Sequence, residues 1–388
     1  MATVLFHVAV VFCLYTYIVF PLILHVLARL RTKARDSLAA GSAVPSLEPG
    51  NSRQPLPTIS VVIAVYNEEA SLHRKIASLD ALTYPPHLMQ CIFVSDGSTD
   101  GSVTILNQAC ASKADWQVLV SEQAAGKPTA LNRGVSTATG EILVFMDARQ
   151  SVSSSALEVM TKRLSDNDVG VVSGELVLGN AGGGDAREVG LYWRYEKWIR
   201  ANESALYSTT GATGALYAIR REHYLPLPAN TILDDFEIPV VLLKRGLRTV
   251  CESAARVYDE AESDSGREFL RKVRTLSGNY QSFIRHRWLF SPRENPVWWQ
   301  FISHKVFRLL VPYAMMLAFV TSVIADSLYL QTMALLQVVF YLTGLAAMLG
   351  WKNRLANTVK VFIQMNAAAV VGAWRAFSRR TDVRWRSS

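Results

Sequence analysis

Hydrophobic and polar positions divide the chain into two apolar ends and a mixed middle. From Thr58 the pattern alternates between apolar runs of strand length and segments of helical spacing. It predicts strands at Thr58–Val65, Gln90–Ser95, Trp116–Ser121, Glu141–Met146 and Val169–Val177. Between them it predicts helices at Glu68–Asp80, Ser102–Ala111, Pro128–Ala138 and Ala156–Leu164. Continuous β-branched runs that alternate with helices predict a parallel sheet covered on both faces. That is a doubly wound α/β architecture, whose ligands sit at the carboxyl ends of the strands.

The ends read differently. Val4 to Leu27 carries no formal charge and is long enough to cross a hydrocarbon core of about 30 Å. It is followed by Arg29, Arg31, Lys33 and Arg35 rather than by a small-residue cleavage site, which favours a signal anchor over a cleaved leader. Leu309–Ala325 and Ser327–Trp351 are separated only by Asp326 and predict a hairpin of two spans. Val361–Trp374 covers only about 21 Å as a helix, so it is read as either a short span or a re-entrant or interfacial segment. Two segments mix tryptophans with basic residues. Pro296–Arg308 suits the headgroup zone. Tyr192–Arg200 fits either that zone or a core-facing amphipathic helix. The expected organisation is an anchor over 1–35, a linker over 36–57, a catalytic domain over 58–290, an interfacial segment over 291–308, a membrane region over 309–374 and a basic tail over 375–388.

Charge sharpens this picture. There are 40 Lys and Arg against 32 Asp and Glu, a surplus of +8. The excess lies beside the apolar runs, as on cytoplasmic flanks of membrane helices. With no basic stripe or finger spacing, nucleic-acid binding is set aside. The four cysteines, Cys13, Cys91, Cys110 and Cys251, form no Cys-x-x-Cys and are read as reduced, so the middle domain is expected in a reducing compartment.

Polar residues collect at the predicted strand ends: Tyr66-Asn67-Glu68-Glu69, Asp96-Gly-Ser-Thr-Asp100 and Asp147-Ala-Arg149. Each is a good turn or helix cap when taken singly. Three acidic ends on one rim repel one another and call for a metal, a sugar or a proton. Gly126-Lys127-Pro128 lacks the flanking residues of a Walker A loop, and no Gly-x-Gly-x-x-Gly follows the first strand. Ordinary ATPases and dehydrogenases are therefore excluded. Gly182-Gly183-Gly184 reads as a loop.

In this order the motifs resemble a membrane-bound family-2 glycosyltransferase with a GT-A-like, nucleotide-binding domain flanked by transmembrane helices. The resemblance runs from about Thr58 to Arg308 and is nearest to cellulose, hyaluronan and chitooligosaccharide synthases. It rests on Val62-Ile-Ala-Val-Tyr66-Asn67-Glu68-Glu69, Val94-Ser-Asp96-Gly-Ser-Thr-Asp100, Gly126-Lys127-Pro-Thr-Ala-Leu131-Asn132, Phe145-Met-Asp147-Ala-Arg149, Gly211-Ala-Thr-Gly214, Leu233-Asp234-Asp235 and Arg271-Lys-Val-Arg274-Thr275. The resemblance implies donor contacts from Tyr66, Asn67, Glu68, Asp96, Lys127, Asp147, Arg271 and Arg274, with Asp96 toward the nucleotide base. It implies Mg²⁺ or Mn²⁺ at Asp147, acceptor contacts from Gly214 and Asp234, and Asp235 as catalytic base. There are two departures. Arg149 replaces the second Asp of Asp-x-Asp, and Arg271-x-x-Arg274-Thr275 replaces Gln-x-x-Arg-Trp, which loses a tryptophan beside the acceptor sugar.

The implied activity is inverting transfer of a sugar from a nucleotide-diphosphate sugar, UDP-linked by resemblance, to a hydroxyl of a glycan or lipid-linked acceptor, with polysaccharide as one product. The alternatives are transfer to a polyprenyl phosphate or other lipid-linked acceptor, and a non-catalytic nucleotide-sugar-binding scaffold. The expected location is the inner membrane, multi-pass, in contact with its lipids and with the catalytic domain cytoplasmic. The basic flank Arg29–Arg35 then places the N-terminus outside and residue 42 inside. A cysteine introduced by Ser42→Cys is expected to resist an impermeant maleimide in intact cells and to react after permeabilisation; labelling before permeabilisation would reverse the topology.

Overall fold

A computed structural model describes residues 1–41, 55–179, 191–259, 265–351 and 353–378. Gly182–Gly184, most of the expected linker and most of the basic tail lie outside these residues. The chain divides into two units, one centred on the sheet and one helical.

The sheet unit has eight strands: β1 Ile59–Val65, β2 Met89–Asp96, β3 Trp116–Ser121, β4 Ile142–Asp147, β5 Ser151–Val152, β6 Val169–Leu178, β7 Leu216–Arg220 and β8 Arg248–Asp259. Their order is β3-β2-β1-β4-β7-β6-β8-β5. The first four strands pair in parallel, as the apolar runs predict. The period of two along β1 then splits the core. Ile59, Val61, Ile63 and Val65 pack on one face with Leu72, Leu79 and Leu157. Val62 and Ala64 pack on the other with Ala130, Leu131, Ile238 and Leu242. Helices Glu69–Asp80 and Lys127–Ser136 cover these opposite faces.

The sheet departs from the all-parallel expectation at β7, which runs antiparallel between β4 and β6. β5 also pairs antiparallel with β8. Apolar runs report burial on two faces but not strand direction. The reversal has a consequence for function. Leu216 at the start of β7 pairs with Met146 at the end of β4, so the Gly211–Gly214 loop enters at the same rim as Asp147.

Among the described residues, three helices are long and apolar enough to cross a membrane: Ala2–Ala34, Trp298–Val323 and Leu328–Met348. Two expected boundaries change. Residues 36–41, expected in the linker, continue helix Phe20–Gly41, because Leu38, Ala39 and Ala40 are good helix formers. Residues 298–308, expected to lie in the interface, form the start of the helix Trp298–Val323. Val361–Trp374 lies within one helix, Arg354–Phe377, that is not among the three apolar helices. It packs on helix Ser265–Arg285, where Ser277 Oγ donates to Gly372 O at 3.1 Å.

Tyr192–Arg200 lies in helix Leu191–Leu206, whose Ile199 packs on Phe20 and Leu24. Its carboxylates meet a buried histidine: His304 Nδ1 lies 2.7 Å from Glu203 Oε1 and Nε2 lies 3.1 Å from Glu196 Oε1. Arg308 also pairs with Glu196. Such a pairing fixes the register of helices whose apolar faces alone could slide.

One buried cation in the sheet unit makes a measurable prediction. Lys75 is fully buried; its Nζ reaches Gln150 O at 3.2 Å and Met146 Sδ at 3.4 Å. Burial pulls its pKa down to about 8, against the opposing pull of Asp147. The group therefore contributes most to stability above its unfolded pKa of 10.5. That contribution is lost as pH falls from there through about 8. Lys75→Met is expected to raise stability at pH 7 by on the order of 2 kcal/mol and to flatten the rise between pH 8 and 10. Denaturant midpoints against pH check both.

Candidate active site

The register of the parallel strands sets the site. Val65 pairs with Ser95, Ala64 with Asp147 and Asp96 with Ser121. The loops after β1, β2, β3 and β4 therefore leave the sheet at one rim, as its doubly wound half requires.

The first two loops brace each other. Asn67 is the one non-glycine with positive φ among the described residues, at 52°. Its Oδ1 accepts from Thr99 N at 2.8 Å, and its N–H donates to Ser98 Oγ at 3.2 Å. Local hydrogen bonding of this kind lets Asn hold a left-handed conformation. Glu69 Oε2 accepts from Gly101 N at 2.9 Å, while Asp100 accepts from the amides of Glu69 and Ser102. Tyr66 and Glu68 are half-buried at this rim. Burial lifts the Glu68 carboxyl above its usual range; a hydrogen bond from Ser71 and the charge of Arg149 oppose this, and Asp147 and Asp100 add to it.

Asp96 is 1% exposed, and its two oxygens accept from Ala125 N at 2.9 Å and Gly126 N at 2.7 Å. Gly126 has φ 98°, a region that L side chains rarely adopt. The carboxylate thus holds the turn that launches helix Lys127–Ser136 and aims Lys127 inward.

Lys127 bridges two carboxylates: Nζ is 2.9 Å from Asp147 Oδ1 and 3.1 Å from Asp234 Oδ1. Burial lowers the pKa of this ammonium, but Asp147, Asp234 and Asp235 together outweigh burial and raise it above its usual value. Asp234 is itself 5% exposed, and its Oδ2 accepts from Tyr217 Oη at 2.8 Å. Its two oxygens are engaged inside the protein. The expected acceptor contact at Asp234 therefore has the geometry of a buried anchor.

Asp235 is the next residue, half-buried in the first turn of helix Asp234–Lys244. A Cβ on residue 214 would approach its Oδ2 to 2.9 Å. Glycine at 214 lets the carboxylate pack this close to the backbone, and Ala212 N donates to Asp235 O at 2.7 Å.

Asp147 is one-third exposed in its side chain. Arg149, in the place of a second carboxylate, turns toward Asp259, 3.7 Å away. Among the described residues no three His, Cys, Asp or Glu side chains gather as a metal site. A hard divalent ion commonly binds through one or two carboxylates, with phosphate oxygens and water completing the shell. The single carboxylate of Asp147, with Oδ1 already on Lys127, fits that substrate-completed mode and no richer one.

Arg271 and Arg274 lie on helix Ser265–Arg285 of the helical unit. Arg274 Nε is buried with no hydrogen-bond partner among the described residues. The structure thus brings Lys127, Asp147, Asp234 and Asp235 together, with Asp96 bracing them from behind. Sequence reasoning missed Tyr217 and Lys75. Tyr217 sits on a strand whose direction no periodicity reveals, and Lys75 reads as an ordinary helix-surface lysine.

Residues 60–225 match the glycosyl transferase family 2 domain. Glycosyltransferase AglE of Haloferax volcanii is 30% identical over 133 residues, covering 34% of this chain and 44% of that protein. Beta-monoglucosyldiacylglycerol synthase of Nostoc is 25% identical over 239 residues, covering 59% of this chain and 50% of that protein. The chain thus spans half or less of the length of these curated relatives. A mannosyltransferase from Pyrobaculum calidifontis, PcManGT, solved with GDP-Man and Mn²⁺, shares the fold. The match has a TM-score of 0.72 at 20% identity and covers 97% of this chain and 99% of that one. Residues 60–225 are thus similar to the glycosyl transferase family 2 domain, and the chain shares a GT-A-like fold with that mannosyltransferase.

Lys127→Met removes the cation between these two carboxylates and leaves a buried Asp234 without its ion pair with Lys127. A loss of on the order of 3 kcal/mol is expected, with partial recovery in Lys127→Met/Asp234→Asn. Chemical denaturation of the two variants checks it; equal losses would show that the pair contributes little.

Proposed function

We propose that the protein is an inverting glycosyltransferase that moves a sugar from a nucleoside-diphosphate sugar to a hydroxyl of a lipid-borne acceptor at the membrane. The observation that carries this reading is the Lys127 bridge between Asp147 and Asp234, with Asp235 packed against Gly214, on the rim of a sheet whose residues 60–225 match a family 2 domain.

Each residue takes a role that its geometry supports. Asp96 fixes the Gly126 turn, and through it the donor pocket. Tyr66, Asn67 and Glu68 form the donor side of the rim. Lys127 offers a positive charge to the diphosphate, with Arg271 and Arg274 as further cations by resemblance. Asp234 and Tyr217 hold Lys127 and the start of the helix in place. When bound at Asp147, Mg²⁺ or Mn²⁺ would neutralise charge on the diphosphate. The acceptor oxygen attacks the anomeric carbon from the face opposite the leaving group. The new C–O bond forms as the bond to the diphosphate breaks, and the bonding pair leaves with the nucleoside diphosphate. The hydroxyl proton passes to the Asp235 carboxylate and then to solvent.

Three observations support a lipid-borne acceptor and a single addition. Three apolar helices accompany the domain, and one relative is named for a glucosyldiacylglycerol. Thr275 stands where chain-extending synthases carry tryptophan, which disfavours polymer growth of the cellulose or hyaluronan kind. The catalytic domain is assigned to the cytoplasmic side of the cell membrane by the basic flanks.

Asp235→Asn keeps shape and removes the proton acceptor. Transfer is expected to fall about 10²–10⁴-fold while donor affinity stays near wild type. Titration with UDP- and GDP-sugars, followed by turnover of labelled donor on native membranes, separates the two. Wild-type turnover in this variant would remove Asp235 from the mechanism. Lost donor binding would move it to the diphosphate side.

In the same assay, chelator and Asp147→Ala are each expected to suppress turnover, with metal restoring only the wild type. Full activity in chelator would exclude the metal role.

A further inference from the structure

The short loop between β4 and β5, Ala148–Gln150, follows Asp147 at the rim of the sheet and carries one cation, Arg149. Helix Glu69–Asp80 grips the main chain of this loop and of the strand after it. Arg74 Nη2 donates to Arg149 O at 3.0 Å, Lys75 Nζ donates to Gln150 O at 3.2 Å, and Val152 N donates to Ser78 Oγ at 2.7 Å. Lys75 and Ser78 are buried, so these bonds are shielded from water. The backbone at Arg149 is therefore fixed, and the adjustable part of the residue is its side chain.

The guanidinium is weakly engaged. Its side chain is 37% exposed, and its ion-pair partner Asp259 Oδ2 lies 3.7 Å away, beyond hydrogen-bond reach. That same oxygen already accepts from Gln150 Nε2 at 3.0 Å. A guanidinium offers a planar fork of N–H donors. Among the described residues none of these donors on Arg149 meets an acceptor at hydrogen-bond distance.

The rim is short of positive charge. Asp147, Asp234 and Asp235 all act on the one ammonium of Lys127, and two of them touch it. Its charge is thus shared among carboxylates before any substrate arrives. A diphosphate adds further negative charge, which these carboxylates repel. Arg149 stands two residues from Asp147, and its charge also reaches Glu68 in the loop after β1. A guanidinium binds phosphate oxygens in a bidentate, charge-assisted manner that a loose ion pair through an already occupied oxygen cannot match.

We infer that Arg149 leaves Asp259 for the diphosphate of the donor, so that the nucleoside diphosphate binds without a divalent ion and the ion at Asp147 serves only the transfer step. The inference deepens the donor half of the function proposed above and rests on it.

Isothermal titration of the full chain in phosphatidylcholine nanodiscs tests it with no sugar transfer. The probes are UDP and GDP, each in EDTA and in Mn²⁺. The nucleotide that the wild type binds in Mn²⁺ is expected to bind in EDTA as well. Arg149→Gln is expected to weaken binding about tenfold in EDTA and by less in Mn²⁺, where the ion supplies the missing charge. Arg149→Asp is expected to bind only in Mn²⁺. Asp259→Asn keeps an acceptor for Gln150 while removing the resting partner's charge, and it is expected not to weaken binding.

Wild-type binding that vanishes in EDTA would overturn the inference, because the ion alone would then hold the diphosphate. Unchanged affinity of Arg149→Gln in EDTA would do the same. Equal losses in EDTA and Mn²⁺, copied by Asp259→Asn, would reduce Arg149 to a structural ion pair. These outcomes leave the transferase reading intact. Failure of the wild type to bind either nucleotide even in Mn²⁺ would defeat that reading, and the inference with it.

Discussion

The ammonium of Lys127 between Asp147 and Asp234 is the interaction on which the rest of the site depends. A carboxylate as buried as Asp234 is tolerable only when paired and hydrogen-bonded. Lys127 supplies the charge and Tyr217 the second bond. The same ammonium ties the end of β4 to the start of helix Asp234–Lys244, segments far apart in sequence. It reaches that position because the Asp96 carboxylate pins the Gly126 turn. The neighbouring Asp235 stands half-buried against Gly214 in the same turn of the helix. Together these features hold Lys127, Asp147 and Asp235, the cation, metal carboxylate and base of the proposed mechanism, on regular elements of one rim.

Much of the sheet was legible in the sequence because burial on both faces writes itself as apolar runs. Helices Ser102–Ala111 and Ala156–Leu164 and strand β3 fall where periodicity places them. The antiparallel β7 was not legible. Direction depends on how Thr209–Ala215 re-enters the sheet, and no local pattern records that. The acidic strand ends were visible as candidates, and the sheet places Asp96, Asp147 and the Asn67 loop on one rim. Their division of labour was not visible. Asp96 reads as a ligand contact in sequence, yet both its oxygens serve the backbone of a loop. Asp234 reads as acceptor-facing, yet it is buried against Lys127 and Tyr217. Pairings between residues a hundred positions apart leave no trace in spacing.

The helical unit obeys a different constraint. Its apolar faces give little positional specificity, since any register buries similar surface. Polar side chains do the positioning: His304, Glu196, Glu203 and Arg308 fasten helix Leu191–Leu206 to helix Trp298–Val323. Phe20 against Trp299 and Ile199 completes that junction on the first apolar helix.

The central claim is single displacement at the rim of the sheet. Proton NMR of the first product formed from an α-linked nucleotide sugar, on an acceptor whose new bond can be read, tests it most directly. The account predicts a β-linked product with the small-to-large change in anomeric coupling expected of a gluco-configured donor. An α-linked product would contradict it, because one attack from the face opposite the leaving group cannot retain configuration.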